Sequence, residues 1–328
     1  MNKKIKILFT IIGFLSFVKI INSYGLSVLK EEVSRSGIVL LLIVFTFVPT
    51  LVCYSISWLL VTDHKLMKDE ISFIKKIFIF TKFTTISIAW NNLTPFLKVG
   101  GEPLKYLMLK EHLTKKEAIT STVNYNIIHL LATLLSFLLG ALFLMIFYPV
   151  TSKIFNFSLG LVFLFLSVFA LSVWMLNHKV QLRPTMIGYK QLRVIYINLF
   201  LMKKRLELFY KKYPRSFVFS LFFDTFARFI EGLTFYYGFQ FIKKPIGLFS
   251  AAFLDVGRTL ADTIFFFIPY QVGTREEGVR FFMEKVLLIN GSGFLTVVLY
   301  YRFVEIAWIL IGYAIWATSN KEERVLSV

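Results

Sequence analysis

The chain is poor in the residues on which soluble proteins rely. One cysteine stands in 328 residues, and Cys53 lies inside an apolar run, so no internal disulfide can form and a disulfide-stapled secreted scaffold is excluded. Charged residues reach only 17%, where a water-soluble chain needs about a quarter. Acids are scarcer still, 19 Asp+Glu against 37 Lys+Arg. The four histidines, at positions 64, 112, 129 and 178, are too dispersed for a metal motif. No Gly-x-Gly-x-x-Gly, Walker loop, Gly-x-Ser-x-Gly or His-Glu-x-x-His occurs, which removes nucleotide, serine-hydrolase and zincin readings. Accordingly no cofactor, no metal and no catalytic residue is expected.

What is present is apolar surface: 57% hydrophobic and 18% aromatic residues, 38 of them Phe, with mean hydropathy +0.70. These values predict an all-α integral membrane protein, a single domain over 1–328 with halves at 1–122 and 123–328. A bilayer core takes about 20 apolar residues as helix. Six stretches approach that length: 5–21, 37–61, 123–148, 154–176, 216–241 and 294–318. The first begins with Lys3, Lys4 and Lys6 but shows no convincing small-residue cleavage site, so it reads as a retained span. Two more, 73–97 and 246–272, are interrupted by Lys82, Asn91, Asn92 and Pro95, or by Asp255, Arg258, Asp262 and Pro269. They are expected to be re-entrant or broken helical segments.

The net charge of +18 would raise nucleic acid in a soluble protein. Here it follows from topology, because basic residues concentrate in cytoplasmic loops and contact anionic headgroups. The 177–215 segment carries ten Lys and Arg against Glu207 alone, which predicts a cytoplasmic loop. With 73–97 entering and leaving on one side, the amino terminus, residues 62–120 and the carboxyl tail share that side. The expected location is the inner, cytoplasmic membrane of a prokaryotic cell.

Charges inside the late apolar segments are spaced to share helical faces. Asp224, Arg228 and Glu231 fall at i, i+4 and i+7; Asp255, Arg258 and Asp262 fall at i, i+3 and i+7; Arg302 and Glu305 add a polar face to the last span. One charge at the bilayer centre costs about 2.5–3.5 kcal/mol on insertion scales, so these eight must pair or line a wet path. Two roles stay open for them: interhelical ion pairs, or the lining of a lipid-headgroup or ion path. His129 reads either as a hydrogen-bonded core residue or as part of such a path.

Two stretches have the grammar of a turn at a helix start. The first runs Asn91-Asn92-Leu93-Thr94-Pro95-Phe96-Leu97-Lys98-Val99-Gly100-Gly101-Glu102-Pro103-Leu104-Lys105, the second Pro269-Tyr270-Gln271-Val272-Gly273-Thr274-Arg275-Glu276-Glu277-Gly278. In each a Glu follows a Pro by seven residues with glycine between, a weak internal symmetry of the kind that marks inverted repeats in transporters. Glycine allows close backbone approach, and a helix start offers amides to an anion that Lys98, Lys105, Arg275 and Arg280 could flank.

At these stretches the chain resembles the lysylphosphatidylglycerol synthase/flippase transmembrane family, whose members carry an Asn-then-Pro segment running into Gly-Glu and a later Pro-x-x-x-Gly segment running into Glu. The matching positions are Asn91, Pro95, Gly101, Glu102, Pro269, Gly273 and Glu276; Lys105 stands where Arg is commoner, and Gly273-Thr274 replaces the frequent doubled glycine. The resemblance spans almost the whole chain and implies a domain that moves or handles phospholipids or polyprenyl-type lipids, without the soluble aminoacyl-transfer domain of some members. It implies an anionic membrane lipid as partner, with a lipid-modifying enzyme as a further candidate partner and nucleic acid as none. The competing readings are an intramembrane transferase on a lipid-linked substrate, with Glu102 or Asp255 as acid or base, and a noncatalytic assembly partner.

Overall fold

The computed structural model describes residues 37–62, 72–94, 100–147, 152–177, 204–266, 269–271, 273–289 and 294–319. The expected span at 5–21, Pro95, Lys98, most of the basic loop and the carboxyl tail lie outside them. Among the described residues every regular element is helical: α1 (Ile38–Phe45), α2 (Val48–Val61), α3 (Phe73–Leu93), α4 (Gly101–Leu109), α5 (Lys115–Phe147), α6 (Ser152–Asn177), α7 (Pro214–Ile230), α8 (Leu233–Phe241), α9 (Leu248–Ile264), α10 (Thr274–Phe281) and α11 (Phe294–Thr318). A further helical segment covers 204–212. Among the described residues three helices are long and apolar enough to cross a membrane: Val39–Val61, Lys115–Phe147 and Thr296–Thr318. Large side chains remain outward on them, Leu41, Phe45, Leu130 and Leu310 among others, as a lipid-facing surface requires.

The two segments expected to be broken are helical through their charged and amide residues but stop before their prolines: α3 ends at Leu93, ahead of Pro95, and α9 ends at Ile264, ahead of the turn at Pro269–Gln271. α3 runs to Leu93 past Lys82, Asn91 and Asn92. Its amides do not disrupt it, because Asn91 sits in the last turn and turns its carbonyl forward to the next helix. α9 runs through Asp255, Arg258 and Asp262 without interruption because these charges pair at i+3 and i+4 along one face. A further interruption falls within 216–241, at Glu231-Gly232 between α7 and α8. A Cβ at Gly232 would lie 2.5 Å from the Ala252 Cα, so glycine lets α9 approach this turn.

The chain divides into two compact units. The first comprises the described parts of Met1–Ser55, Leu66–Thr114 and Phe226–Val328. In it α11 packs along α3, with no room for a side chain at Gly312, whose Cβ would come within 2.7 Å of the Thr85 carbonyl oxygen. One apolar cluster joins Ile86, Trp90 and Leu93 of α3, Leu104 of α4, Tyr270, and Ile306, Ile309 and Trp316 of α11. A second joins Leu40, Ile43 and Val44 of α1 to Tyr300 and Val304 of α11, and the Trp308 indole donates to the Val44 carbonyl at 3.0 Å. The second unit comprises the described parts of Ile56–Lys65 and Lys115–Thr225, where α6 packs along α5 and Trp58 stacks on Tyr125 with ring centroids 5.4 Å apart. In 204–212, Glu207 bonds Lys211 at 2.6 Å, and this hydrogen bond with its charge attraction holds the exposed ammonium above its ordinary range.

Candidate functional site

The first unit holds a connected set of ion pairs. Arg258 on α9 is its first junction: Nε donates to Asp255 at 2.7 Å, Nη1 to Asp262 at 3.0 Å and Nη2 to Glu231 at 3.1 Å. Its guanidinium lies 4.3 Å from the centroid of the Tyr301 ring, and the Tyr301 hydroxyl donates to the same Glu231. Asp262 passes the connection on. Arg275 on α10 grips it bidentately, Nη2 at 2.6 Å and Nε at 2.8 Å, and reaches Glu305 through Nη1 at 2.6 Å. Glu305 also accepts from Arg302 at 3.4 Å, and Arg302 holds Glu276 through Nη2 at 2.9 Å and Nε at 3.0 Å.

Five carboxylates thus bracket three guanidiniums, each cation buried and each shared between at least two acids. Buried charge survives only when paired and hydrogen-bonded, which this sharing provides. The set spans the α7–α8 turn, α9, α10 and α11, so one network fixes four elements.

The same network shapes the start of α10. Tyr270, Gln271 and Gly273 have φ of 56°, 50° and 81°, a run in the left-handed region. Arg302 secures it by donating to the carbonyl oxygens of Tyr270 and Gln271, each at 3.2 Å. At Gly273 the positive φ calls for glycine, and its amide donates to Glu276 Oε2 at 2.8 Å. Glu276 therefore caps its own helix with one oxygen and holds Arg302 with the other. The first unit builds α4 differently: the Gly101 amide donates to Asn91 Oδ1 at 2.7 Å and the Gly100 amide to Thr94 Oγ1 at 3.3 Å. Gly101 must be glycine for space, since a Cβ there would stand 2.2 Å from the Ser87 carbonyl oxygen. The Gly100, Gly101 and Gly273 amides are thus taken by protein oxygens. Within α4, Lys105 bonds Glu102 at 2.9 Å, the ammonium buried and the carboxylate half-buried.

The sequence-derived residues therefore separate into groups. Asp255, Arg258, Asp262, Glu231, Arg275, Glu276, Arg302 and Glu305 form the network. Asn91, Gly100, Gly101, Glu102 and Lys105 form the α4 start, with Asn92 half-buried beside them on α3. Leu104 and Tyr270 share one apolar cluster, so the two starts flank a common core. Glu277 turns outward to Arg280 at 2.7 Å. Arg228 lies over the Tyr54 ring at 5.8 Å, and Asp224 bonds to Ser57 and His129. Sequence reasoning passed over Tyr301 and Gln271, which orient Glu231 and Arg275. Tyr301 directly precedes Arg302 on an apolar helix, a position where a phenol among charges was the available signal.

No family model, curated protein or solved structure matches the chain.

Proposed function

We propose that the chain is a polytopic membrane protein that binds and moves an anionic lipid, a phospholipid or a polyprenyl-linked lipid, as the resemblance to the lysylphosphatidylglycerol synthase/flippase transmembrane family implies. In this reading six spans and two membrane-inserted broken segments form an inverted repeat, the termini and the 177–215 loop face the cytoplasm, and an anionic lipid is the partner. The observation that carries it is the ion-pair network beside the two glycine-containing helix starts, at Gly101-Glu102 and Gly273-Glu276. A structural clamp needs only matched pairs, whereas here carboxylates outnumber guanidiniums and every cation is shared. Such cations can exchange one carboxylate for a lipid phosphate without losing all their partners, and Lys105 beside Glu102 offers the same exchange at α4.

Reconstitution of the purified protein into liposomes containing fluorescent anionic lipid tests this. Protein-dependent arrival of the lipid at the opposite leaflet, with no new lipid species, is the expected result. A chemically changed lipid would favour the intramembrane transferase. Neither movement nor product would leave the noncatalytic assembly partner and overturn the proposal.

A further inference from the structure

The second unit contains its own buried charge. Asp224 on α7 is fully enclosed, with Oδ1 2.9 Å from Nδ1 of His129 on α5 and Oδ2 3.2 Å from the hydroxyl of Ser57 on α2. Ser57 Oγ lies 2.9 Å from Ser220 Oγ, and the Ser220 hydroxyl also lies 2.9 Å from the Ser57 carbonyl oxygen. Each hydroxyl has one proton to give. The Ser220 proton can serve Ser57 Oγ or the carbonyl, while the Ser57 proton goes to Asp224. Oδ2 thus accepts from Ser57, and Oδ1 is left to the imidazole nitrogen. Against an ionised carboxylate Nδ1 of His129 donates, which places the ring hydrogen on Nδ1 and the lone pair on Nε2.

The two partners differ sharply in access: the Asp224 side chain is 0% exposed and that of His129 is 39% exposed. The buried carboxylate is therefore bonded to an imidazole that reaches the outer surface of α5. The groups facing His129 include Asp224 of α7, with Ser57 of α2 behind the carboxylate, and Tyr125 one turn earlier on α5, its ring centroid 5.8 Å away. Asn126 lies on the same stretch of α5, and Arg228, one turn beyond Asp224, lies over the Tyr54 ring. A neutral imidazole leaves the aspartate charge uncompensated in an apolar helix bundle, a cost of several kcal/mol that an imidazolium would offset.

We infer that His129 and Asp224 form a proton-binding dyad in which a proton from water adds to the Nε2 lone pair, making an imidazolium held against the carboxylate, and leaves by the same atom. No bond to carbon changes and no electron is transferred. The dyad converts a half-exposed site on a long apolar helix between a net negative and a neutral pair, the property a membrane protein needs to register or use a proton gradient. This inference does not depend on lipid movement.

The test is nitrogen NMR of the full chain in nanodiscs with 15N-labelled histidine. His129→Gln identifies the His129 signal among the four histidines. In the unsubstituted protein that signal shows hydrogen on Nδ1 at about pH 8 and converts reversibly to imidazolium by about pH 5, the window in which histidine serves as a switch. Asp224→Asn keeps the shape but removes the charge; the Nδ1 preference is lost and the midpoint is displaced by about tenfold or more in proton concentration. A His129 ring that stays neutral throughout in the unsubstituted protein overturns the dyad even if Asp224→Asn fails to fold. So does a titration that Asp224→Asn leaves unchanged.

Discussion

Arg302 on α11 holds Glu276 on α10 through two nitrogens, at 2.9 and 3.0 Å, and donates to the carbonyl oxygens of Tyr270 and Gln271 just before that helix. One side chain thereby fixes both the left-handed turn at 270–271 and the helix it leads into. The prediction is that Arg302→Met destabilises the fold by about 3 kcal/mol, the lower end of the cost of breaking a buried ion pair, because Glu276 keeps some exposure. Adding Glu276→Gln should recover part of the loss, since the stranded charge goes with it. Unfolding in detergent, followed by loss of helical signal, measures both; equal stability of Arg302→Met and the parent would show the contact to be dispensable.

Glycine spacing gives a prediction with an internal control. Gly101→Ala places a methyl 2.2 Å from the Ser87 carbonyl oxygen, backbone that cannot rotate away, whereas a Cβ at Gly160 on α6 meets nothing within 4 Å. Gly101→Ala should cost about 1–3 kcal/mol as α4 is pushed off α3. Gly160→Ala should be neutral or stabilising by about 0.5–1 kcal/mol, since it relieves only the entropy of a helical glycine. The same unfolding measurement distinguishes them, and the reverse order would mean that α4 does not rest on Ser87.

Charge asymmetry predicts sidedness. With the lone Cys53 replaced by Ala, a Leu208→Cys reporter stands on an exposed position of the 204–212 segment. It should react with a membrane-impermeant maleimide only after the cells are opened, because the surrounding basic residues are held on the cytoplasmic side. Labelling of intact cells would reverse the orientation of the whole chain.

The helical class and the charged faces were legible because both rest on local spacing: Asp255, Arg258 and Asp262 pair along α9 as i+3 and i+4 spacing requires. Helix ends were less legible. Lys82, Asn91 and Asn92 read as breakers, yet Asn91 uses its side chain to cap the following helix, a bond between residues ten apart that periodicity does not encode. The capping of the Gly273 amide by Glu276 was hidden for the same reason, since it depends on the turn before it. Asp224 and Glu231 share a spacing pattern but not a partner, as Asp224 meets His129 ninety-five residues away. Distant contacts of that kind leave no periodic trace.

The last prediction concerns the two glutamates that open α4 and α10. Glu102 holds the buried Lys105 at 2.9 Å and Glu276 holds the buried Arg302, so each carboxylate keeps a cation in place near the apolar cluster shared by Leu104 and Tyr270. If a lipid phosphate takes the place of these carboxylates, Glu102→Gln and Glu276→Gln remove the group that positions the cation and repels the headgroup once it has passed. A glutamine retains the size and one acceptor oxygen, so helix starts should survive; losing the charge should slow anionic-lipid movement in liposomes at least tenfold, corresponding to about 1.4 kcal/mol or more of barrier. Lys105→Arg should retain movement, because a guanidinium still serves a phosphate, while Lys105→Met should not. Unimpaired movement in both glutamine variants, with the proteins folded and inserted, would remove these sites from the lipid path and leave the network a structural one.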